Sequence, residues 1–163
     1  MKALLFSISL FISLPLLAQD VKTEINNQVW KPFIEGYNTF NVDKFLSVYS
    51  KNVVRVPIDE KKIFTFSEYR LAVNREYQFN KNYKIKAAIQ LRFTERIHAR
   101  DKAYERGIYQ INLTDNNGKP ETIYNRFQVV LAKENGIWKI VFDSDSAEGS
   151  KLTEKDFKAA SPL

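Results

Sequence analysis

The spacing of apolar residues changes once along this chain, from a helical period to a strand period. Before residue 84 apolar side chains recur every three or four positions, as on the buried face of a helix. Ile25, Val29, Phe33 and Tyr37 are the first such series. From residue 85 they alternate with mostly polar residues, which is typical of strands with one buried face. Helices followed by long strands predict an α+β fold, with the helices covering one face of an antiparallel sheet.

Three helices are predicted in the first half. The first carries the series just described, and Pro32 either lies in its first turn or kinks a longer helix. Asn41 is expected to cap a second, short helix. Thr65 and Glu68 have the spacing of a capping box, which predicts the start of a third helix. The β-branched run at 53–57 predicts a short strand between the second and third helices.

Turn signals divide the second half into four strands. The strongest signal is Asn135-Gly136, which favours a two-residue hairpin turn between two apolar strands. The strands are expected at 85–97, 103–113, 121–134 and 137–145. The remaining segment is polar, with a weak helical stretch at 153–160.

The first 18 residues have the pattern of a secretory signal peptide. Lys2 precedes an apolar run at 3–17, and Ala18 is followed by polar residues. We expect cleavage after Ala18 and a periplasmic or secreted protein. A retained membrane anchor is the alternative, but the run is shorter than the roughly 20 residues that a span needs. The rest of the chain has the length of one domain.

The residue counts exclude several kinds of site. The chain has no cysteine, so it has neither a disulfide nor a thiol nucleophile. His98 is the single histidine, which excludes a multi-histidine metal site, and no metal or cofactor is expected. Basic and acidic residues are interleaved, so the net charge of +6 does not predict nucleic-acid binding. No second apolar run is long enough to span a membrane, and no membrane association is expected after cleavage.

The last hairpin offers the first candidate site. With a two-residue turn, Arg126 lies opposite Asp145 and Gln128 lies opposite Asp143, on the face away from the core. An arginine that meets a carboxylate across two strands can position or activate that carboxylate. The alternative is a surface ion pair, worth about 0–1 kcal/mol.

The preceding hairpin offers a second candidate site. A three-residue turn at 100–102 puts Glu95 and Glu105 on the apolar face with Tyr109. A carboxyl in such surroundings has a raised pKa and can act as an acid or base. The alternative is that the strand ends splay and both acids reach water. His98 falls on the opposite face with Arg96, either as a proton shuttle or as an exposed strand residue.

The order of these segments resembles a known family. A helix with Trp30, Phe33 and Tyr37 leads into NVDKFL at 41–46. KAYERGIY follows at 102–109, DNNGK at 115–119, and GIWKI at 136–140. In this order and spacing, residues 25–145 resemble the nuclear transport factor 2-like superfamily. Within that superfamily they resemble the SnoaL-like and ketosteroid-isomerase-like exported bacterial domains.

The resemblance implies a cone-shaped domain at 19–147, with a polar tail at 148–163. In such a cone a strongly bent antiparallel sheet wraps three helices and leaves a pocket beside the first helix. Members include isomerases, dehydratases, epoxide hydrolases and polyketide cyclases, and others have no known activity. The isomerases place their base near 53–57, which contains no carboxylate here, and the dehydratases use a histidine pair that His98 alone cannot form. Tyr37 lies where the isomerases place a donor tyrosine.

We therefore expect an exported pocket protein that binds a small apolar or lipid-like molecule, or a partner, without catalysis. A homodimer through the outer face of the sheet is also implied by the resemblance. The alternative is an acid–base enzyme of isomerase, cyclase or hydrolase type. In that enzyme Asp145 or Asp143, held by Arg126, is the base. The residues expected to contact a ligand are Trp30, Tyr37, Tyr49, Glu95 and Tyr109.

Overall fold

The computed structural model describes residues 21–163, so the predicted signal peptide lies outside the described residues. The chain is helical from residue 21, passes through a π-helical turn at Asn26–Trp30, and continues as helix α1 at Lys31–Asn38. Pro32 therefore lies within a longer helix, one of the two predicted placements. Proline has no N–H to donate, and its ring crowds the preceding turn of a helix. The wider π-helical turn just before Pro32 gives the ring more room.

The predicted helix starts are confirmed. Asn41 accepts a hydrogen bond from the Lys44 N–H, and Thr65 and Glu68 form the capping box. The elements after α1 are α2 (Val42–Leu46), β1 (Tyr49–Pro57), a 3₁₀ turn (Ile58–Glu60), α3 (Phe66–Asn82), β2 (Lys86–His98), β3 (Lys102–Thr114), β4 (Pro120–Glu134), β5 (Ile137–Ser146), a second 3₁₀ turn (Glu148–Ser150), α4 (Glu154–Ala159) and β6 (Ser161–Pro162). Among the described residues no helix is long and apolar enough to cross a membrane.

The strands form one curled sheet that wraps around the helices, which confirms the predicted α+β cone. Their order is β1-β5-β4-β3-β2-β6. The predicted antiparallel pairing holds for the other neighbouring strands, whereas β1 pairs with β5 in parallel. The core lies between the concave face of the sheet and the helices, and its largest fully buried side chains include Trp30, Trp138, Leu131 and Ile140.

A β-bulge in β5 changes which side chains face the core. Leu131 lies opposite Ile140, but its neighbour Val130 lies opposite Phe142, so Val141 is an extra residue. Side chains alternate between the two faces of a strand, and one extra residue turns every later side chain to the other face. The carboxylates that follow Val141 therefore point to the concave face.

A second bulge has the same effect in β2. Phe93 lies opposite Gly107, but Glu95 lies opposite Arg106, so Thr94 is the extra residue. The alternation that places Phe93 in the core is interrupted at this point. Glu95 consequently faces outward and is exposed.

The segment expected to be a polar tail packs against the outer face of the sheet. Phe157 of α4 is 4% exposed, contacts Tyr124 of β4, and lies under the guanidinium of Arg92. Ser161–Pro162 then pairs with β2 as the edge strand β6. Part of the outer face is therefore covered by the chain itself.

Candidate functional site

A cavity of about 700 Å³ lies between the concave face of the sheet and helices α1 and α3. This volume is within the range of sites that enclose a small molecule. Its wall is about equally apolar and polar. The aromatic part includes Trp30, Phe33, Tyr37, Phe45, Tyr69 and Phe127, and the charged side chains of Asp59, Glu60, Lys62, Arg75 and Glu76 also line it. Polar side chains enter it from four neighbouring strands, namely Tyr49, Arg55, Tyr109, Asn125, Asp143 and Asp145.

Arg55 is the centre of the polar part of the wall. Parallel pairing places it opposite Asp143, and its Nη2 donates to Asp145 Oδ1 at 2.7 Å. Its Nε lies 3.5 Å from Asp143 Oδ2. The side chain is only 10% exposed, and its guanidinium carbon lies 5.4 Å from the ring centroid of Tyr69. One buried guanidinium therefore serves two carboxylates.

Two tyrosine hydroxyls occupy the other side of these carboxylates. Tyr49 donates to Asp143 Oδ2 at 2.8 Å, and Tyr109 donates to Asp145 Oδ2 at 2.6 Å. Asn125 Nδ2 in turn donates to the Tyr109 hydroxyl at 2.8 Å. We call Arg55, Asp143, Asp145, Tyr49 and Tyr109 the Arg55 cluster.

Burial shifts the protonation equilibria of this cluster. It raises the pKa of Asp143 against the opposing attraction of Arg55, and the charge of Asp145 adds to the rise. Burial also raises the pKa values of Tyr49 and Tyr109, so both hydroxyls remain donors at neutral pH. The cluster therefore takes up a proton at Asp143 more readily than an exposed aspartate does.

Several buried polar atoms of the cavity wall have no hydrogen-bond partner within the described part of the chain. They are Arg55 Nε and Nη1, Asn125 Oδ1 and the Tyr77 hydroxyl. Leaving such a group unpaired costs roughly 1–3 kcal/mol, and each one calls for an explanation in a native structure. These atoms are free to form hydrogen bonds with polar groups that enter the cavity.

The predicted pairing of Arg126 with Asp145 was wrong. Because of the bulge at Val141, Arg126 lies opposite Ser146 on the outer face, where its Nε donates to Glu148 at 2.6 Å.

Arg55 occupies the place that Arg126 was expected to take. In the sequence its one signal is that it is the only charged residue in a run of β-branched residues. That run predicted a strand but not the partner of the strand. The same bulge brings Asp143 and Asp145, both predicted site residues, to the concave face.

The predicted pair of Glu95 and Glu105 does not exist, because the bulge at Thr94 separates their faces. Glu105 is fully buried and accepts from Trp30 Nε1 at 2.5 Å and from Arg96 Nε at 2.8 Å.

The carboxylate of Glu105 has a third partner in His98. The Nε2 atom of His98 lies 2.7 Å from Glu105 Oε1. His98 was expected to be an exposed strand residue, but its side chain is 8% exposed. We call Glu105, Trp30, Arg96 and His98 the Glu105 cluster.

The other predicted contact residues lie in the cavity wall. Trp30, Tyr37, Tyr49 and Tyr109 all line it, whereas Glu95 does not. Burial raises the pKa of Tyr37 well above its usual value, so it too remains protonated. Within residues 21–163 no three acidic, histidine or cysteine side chains converge as a metal-ligand set.

Comparison with models of known protein families gives no match, and comparison with curated protein sequences gives none. Solved structures do match. An NTF-2 like protein of unknown function from Shewanella oneidensis has a TM-score of 0.58 at 19% identity, over 77% of this chain and 98% of that chain. A ketosteroid isomerase-like protein from Erwinia carotovora has a TM-score of 0.56 at 13% identity, over 76% and 95%. The association domain of C. elegans CaMKII has a TM-score of 0.62 at 14% identity, over 79% and 97%.

The chain has the nuclear transport factor 2-like fold. This confirms the fold that the sequence resemblance implied. At these identities the likeness is one of fold, and one fold carries many functions. In this nuclear transport factor 2-like cone the cavity is the interior of the cone, and the Arg55 cluster lies on its wall.

Proposed function

We propose that this chain binds an uncharged, mainly apolar small molecule inside the cone, with its polar group against the Arg55 cluster. The observation that carries the proposal is the cavity of about 700 Å³, whose wall combines aromatic and aliphatic side chains with the polar groups of the Arg55 cluster. Sites of this size and composition enclose small organic molecules, and a few polar groups fix their orientation.

The charges of the cluster argue for an uncharged ligand. The positive charge of Arg55 is already balanced by Asp143 and Asp145, so an anionic group placed against this cluster meets two carboxylates. A cationic group placed against the cluster is repelled by the guanidinium of Arg55. Burying a charge without a partner is costly, whereas a hydroxyl or carbonyl group pairs with Arg55 Nη1 and Asn125 Oδ1 at little cost.

The binding proposal is tested with a neutral apolar fluorophore. Nile red is titrated into wild-type protein and into Val73→Trp, which places an indole in the cavity wall. Leu71→Trp, on the outer side of the same helix, is the matched control. We expect saturable binding to wild type and Leu71→Trp, and a loss of at least about tenfold in affinity for Val73→Trp, because the larger ring fills the cavity. Equal binding by all three proteins contradicts the proposal. Native mass spectrometry then identifies any molecule that co-purifies.

A second candidate function is acid–base catalysis, and the raised pKa of Asp143 beside Asp145 favours it. A carboxyl with a raised pKa, with tyrosine donors beside it, can move a proton on a bound molecule. The test is exchange of the α-protons of an enolisable cyclic ketone in deuterated water, followed by NMR. Catalysis predicts exchange faster than in buffer, abolished in Asp145→Asn, whereas binding alone predicts the buffer rate.

Self-association remains a prediction. The fold occurs in an association domain, so oligomerisation is plausible for this chain. A dimer through the outer face has to use the area that α4 and β6 leave open, where Val130 is partly exposed. Light scattering of the purified protein at several concentrations measures the oligomeric state directly.

A further inference from the structure

Two exposed aromatic rings lie at the end of helix α3. Phe79 and Tyr83 are 53% and 55% exposed, and their ring centroids are 4.3 Å apart. Single apolar side chains on a protein surface are normal and call for no explanation. Two rings that contact each other and also face solvent form a continuous apolar surface instead.

The surroundings of these rings are basic. From Tyr77 to Thr94 the sequence contains no aspartate or glutamate. Three exposed lysines follow the rings closely, and none of them forms an ion pair within residues 21–163. We call this surface the Phe79 patch; it consists of Phe79, Lys81, Tyr83, Lys84 and Lys86.

We propose that the Phe79 patch docks on a lipid surface that carries anionic headgroups. Aromatic side chains favour the boundary between headgroups and acyl chains, and unpaired lysines are attracted to anionic lipids. The sequence predicted no membrane association because no second apolar run is long enough to span a membrane, but docking on a lipid surface needs no such run. Single-stranded nucleic acid fits the patch less well. Nucleic-acid bases stack on free faces of aromatic rings. Phe79 and Tyr83 each turn one ring face towards the other, so that face of each ring is not available for stacking.

Helix α3 connects the patch to the cavity. Its inner side contributes Tyr69, Val73 and Tyr77 to the cavity wall, and the patch is at its carboxyl end. Docking of the Phe79 patch would therefore place the cavity close to a lipid surface, which contains apolar molecules. The docking proposal does not require the cavity to be occupied, so it can fail while the binding proposal stands, and the reverse also holds.

The test is co-flotation of the full-length protein with vesicles. Phosphatidylcholine vesicles that contain phosphatidylglycerol are compared with phosphatidylcholine alone, at low and high salt. The two variants are Phe79→Ser/Tyr83→Ser and Lys81→Gln/Lys84→Gln/Lys86→Gln. We expect the lysine variant to lose affinity for the anionic vesicles on the order of 100-fold, since each lysine near such a surface contributes roughly fivefold. We expect the aromatic variant to lose binding at both salt concentrations.

The matched control is Ile97→Ser/Ile137→Ser, which removes two similarly exposed apolar side chains at the far end of β2 and the start of β5. All proteins share residues 1–20, so the apolar leader contributes equally, and binding to phosphatidylcholine alone measures that contribution. Circular dichroism confirms that each variant is folded. Wild-type binding by both patch variants overturns the proposal. It is also overturned if the patch variants lose binding to a labelled oligothymidine while vesicle binding is unchanged.

Discussion

The Arg55 cluster and the Glu105 cluster are built from the same kinds of groups. Each holds an arginine and a carboxylate on the concave side of one sheet, and both arginine side chains are 10% exposed. They differ in what surrounds them. Glu105 is fully buried and its carboxylate accepts from three side chains, whereas the Arg55 cluster borders a cavity and contains two carboxylates for one guanidinium.

This difference separates a structural cluster from a candidate site. In both clusters an arginine N–H lacks a partner, but only that of Arg55 belongs to a residue that lines the cavity. The excess negative charge beside Arg55 also contributes to the raised pKa of Asp143. Burial and ion pairing alone therefore do not identify a functional site. An unbalanced cluster next to a cavity marks a candidate site.

The largest effect is expected from Glu105→Ala. The change leaves the charge of Arg96 buried and removes the acceptor of Trp30 and His98, so it should lower the free energy of unfolding by about 3–5 kcal/mol. Urea denaturation measures this. The matched control is Glu95→Ala, an exposed carboxylate on the outer face of the same hairpin, for which we expect a change within about 0.5 kcal/mol. Equal effects of the two substitutions would show that the Glu105 cluster contributes no particular stability.

A smaller loss, about 1–3 kcal/mol at neutral pH, is expected for Arg55→Met, because Asp143 and Asp145 are left without their cation. The raised pKa of Asp143 favours uptake of a proton there, so the loss should shrink as the pH is lowered. Arg96 cannot lose its charge in the same way, and the effect of Glu105→Ala should persist at acidic pH. The comparison is made by denaturation of both variants over a series of pH values. A loss for Arg55→Met that is independent of pH would argue against two unpaired carboxyls.

Asp143→Asn tests the imbalance of the Arg55 cluster directly. The pKa of Asp143 is raised in the folded protein, so the folded state binds this proton more tightly than the unfolded chain. The contribution of Asp143 to stability is therefore present at low pH and lost as the pH rises through the folded pKa. Relative to Asp143→Asn, the wild-type free energy of unfolding should fall with rising pH.

Asp156→Asn provides a control of opposite sign for this pH series. Hydrogen bonds from Thr153 lower the pKa of Asp156, so relative to this variant the wild type should gain stability with rising pH. If the two variants gave slopes of the same sign, the assignment of a raised pKa to Asp143 would be wrong.

The smallest effect is expected for Arg126→Ala. Arg126 forms a partly exposed ion pair with Glu148 on the outer face, and such pairs contribute about 0–1 kcal/mol. Nile red affinity should equal that of the wild type, since Arg126 does not line the cavity. A marked loss of Nile red affinity would instead show that Arg126, on the outer face of the sheet, contributes to the candidate site.

The features that the sequence predicted correctly depend on local chemistry. The caps at Asn41 and Thr65 need only side chains a few residues away. At Asn135 and Gly136 both φ angles are positive, as the predicted hairpin turn requires. Each of these interactions is complete within a short segment, so the residue types suffice to predict it.

The arrangement of the candidate site depends on two features without such local signals. Val141 and Thr94 are ordinary strand residues, and nothing in their immediate sequence shows that they interrupt the alternation. Arg55 meets Asp143 only because β1 joins the sheet in parallel beside β5, a long-range pairing that alternation does not specify. The cavity residues were therefore predictable in part, whereas the partners of the carboxylates were not.

The bulge at Val141 has a consequence for how such a site arises and disappears in evolution. A deletion of one codon in β5 would restore regular pairing and direct Asp143 and Asp145 to solvent, although neither residue is mutated. Two chains with this fold can therefore both contain these aspartates, and yet only the chain with the bulge has them in the wall of the cavity. For proteins of this kind, the length of a strand between its turn and its carboxylates is as informative about function as the identity of the carboxylates.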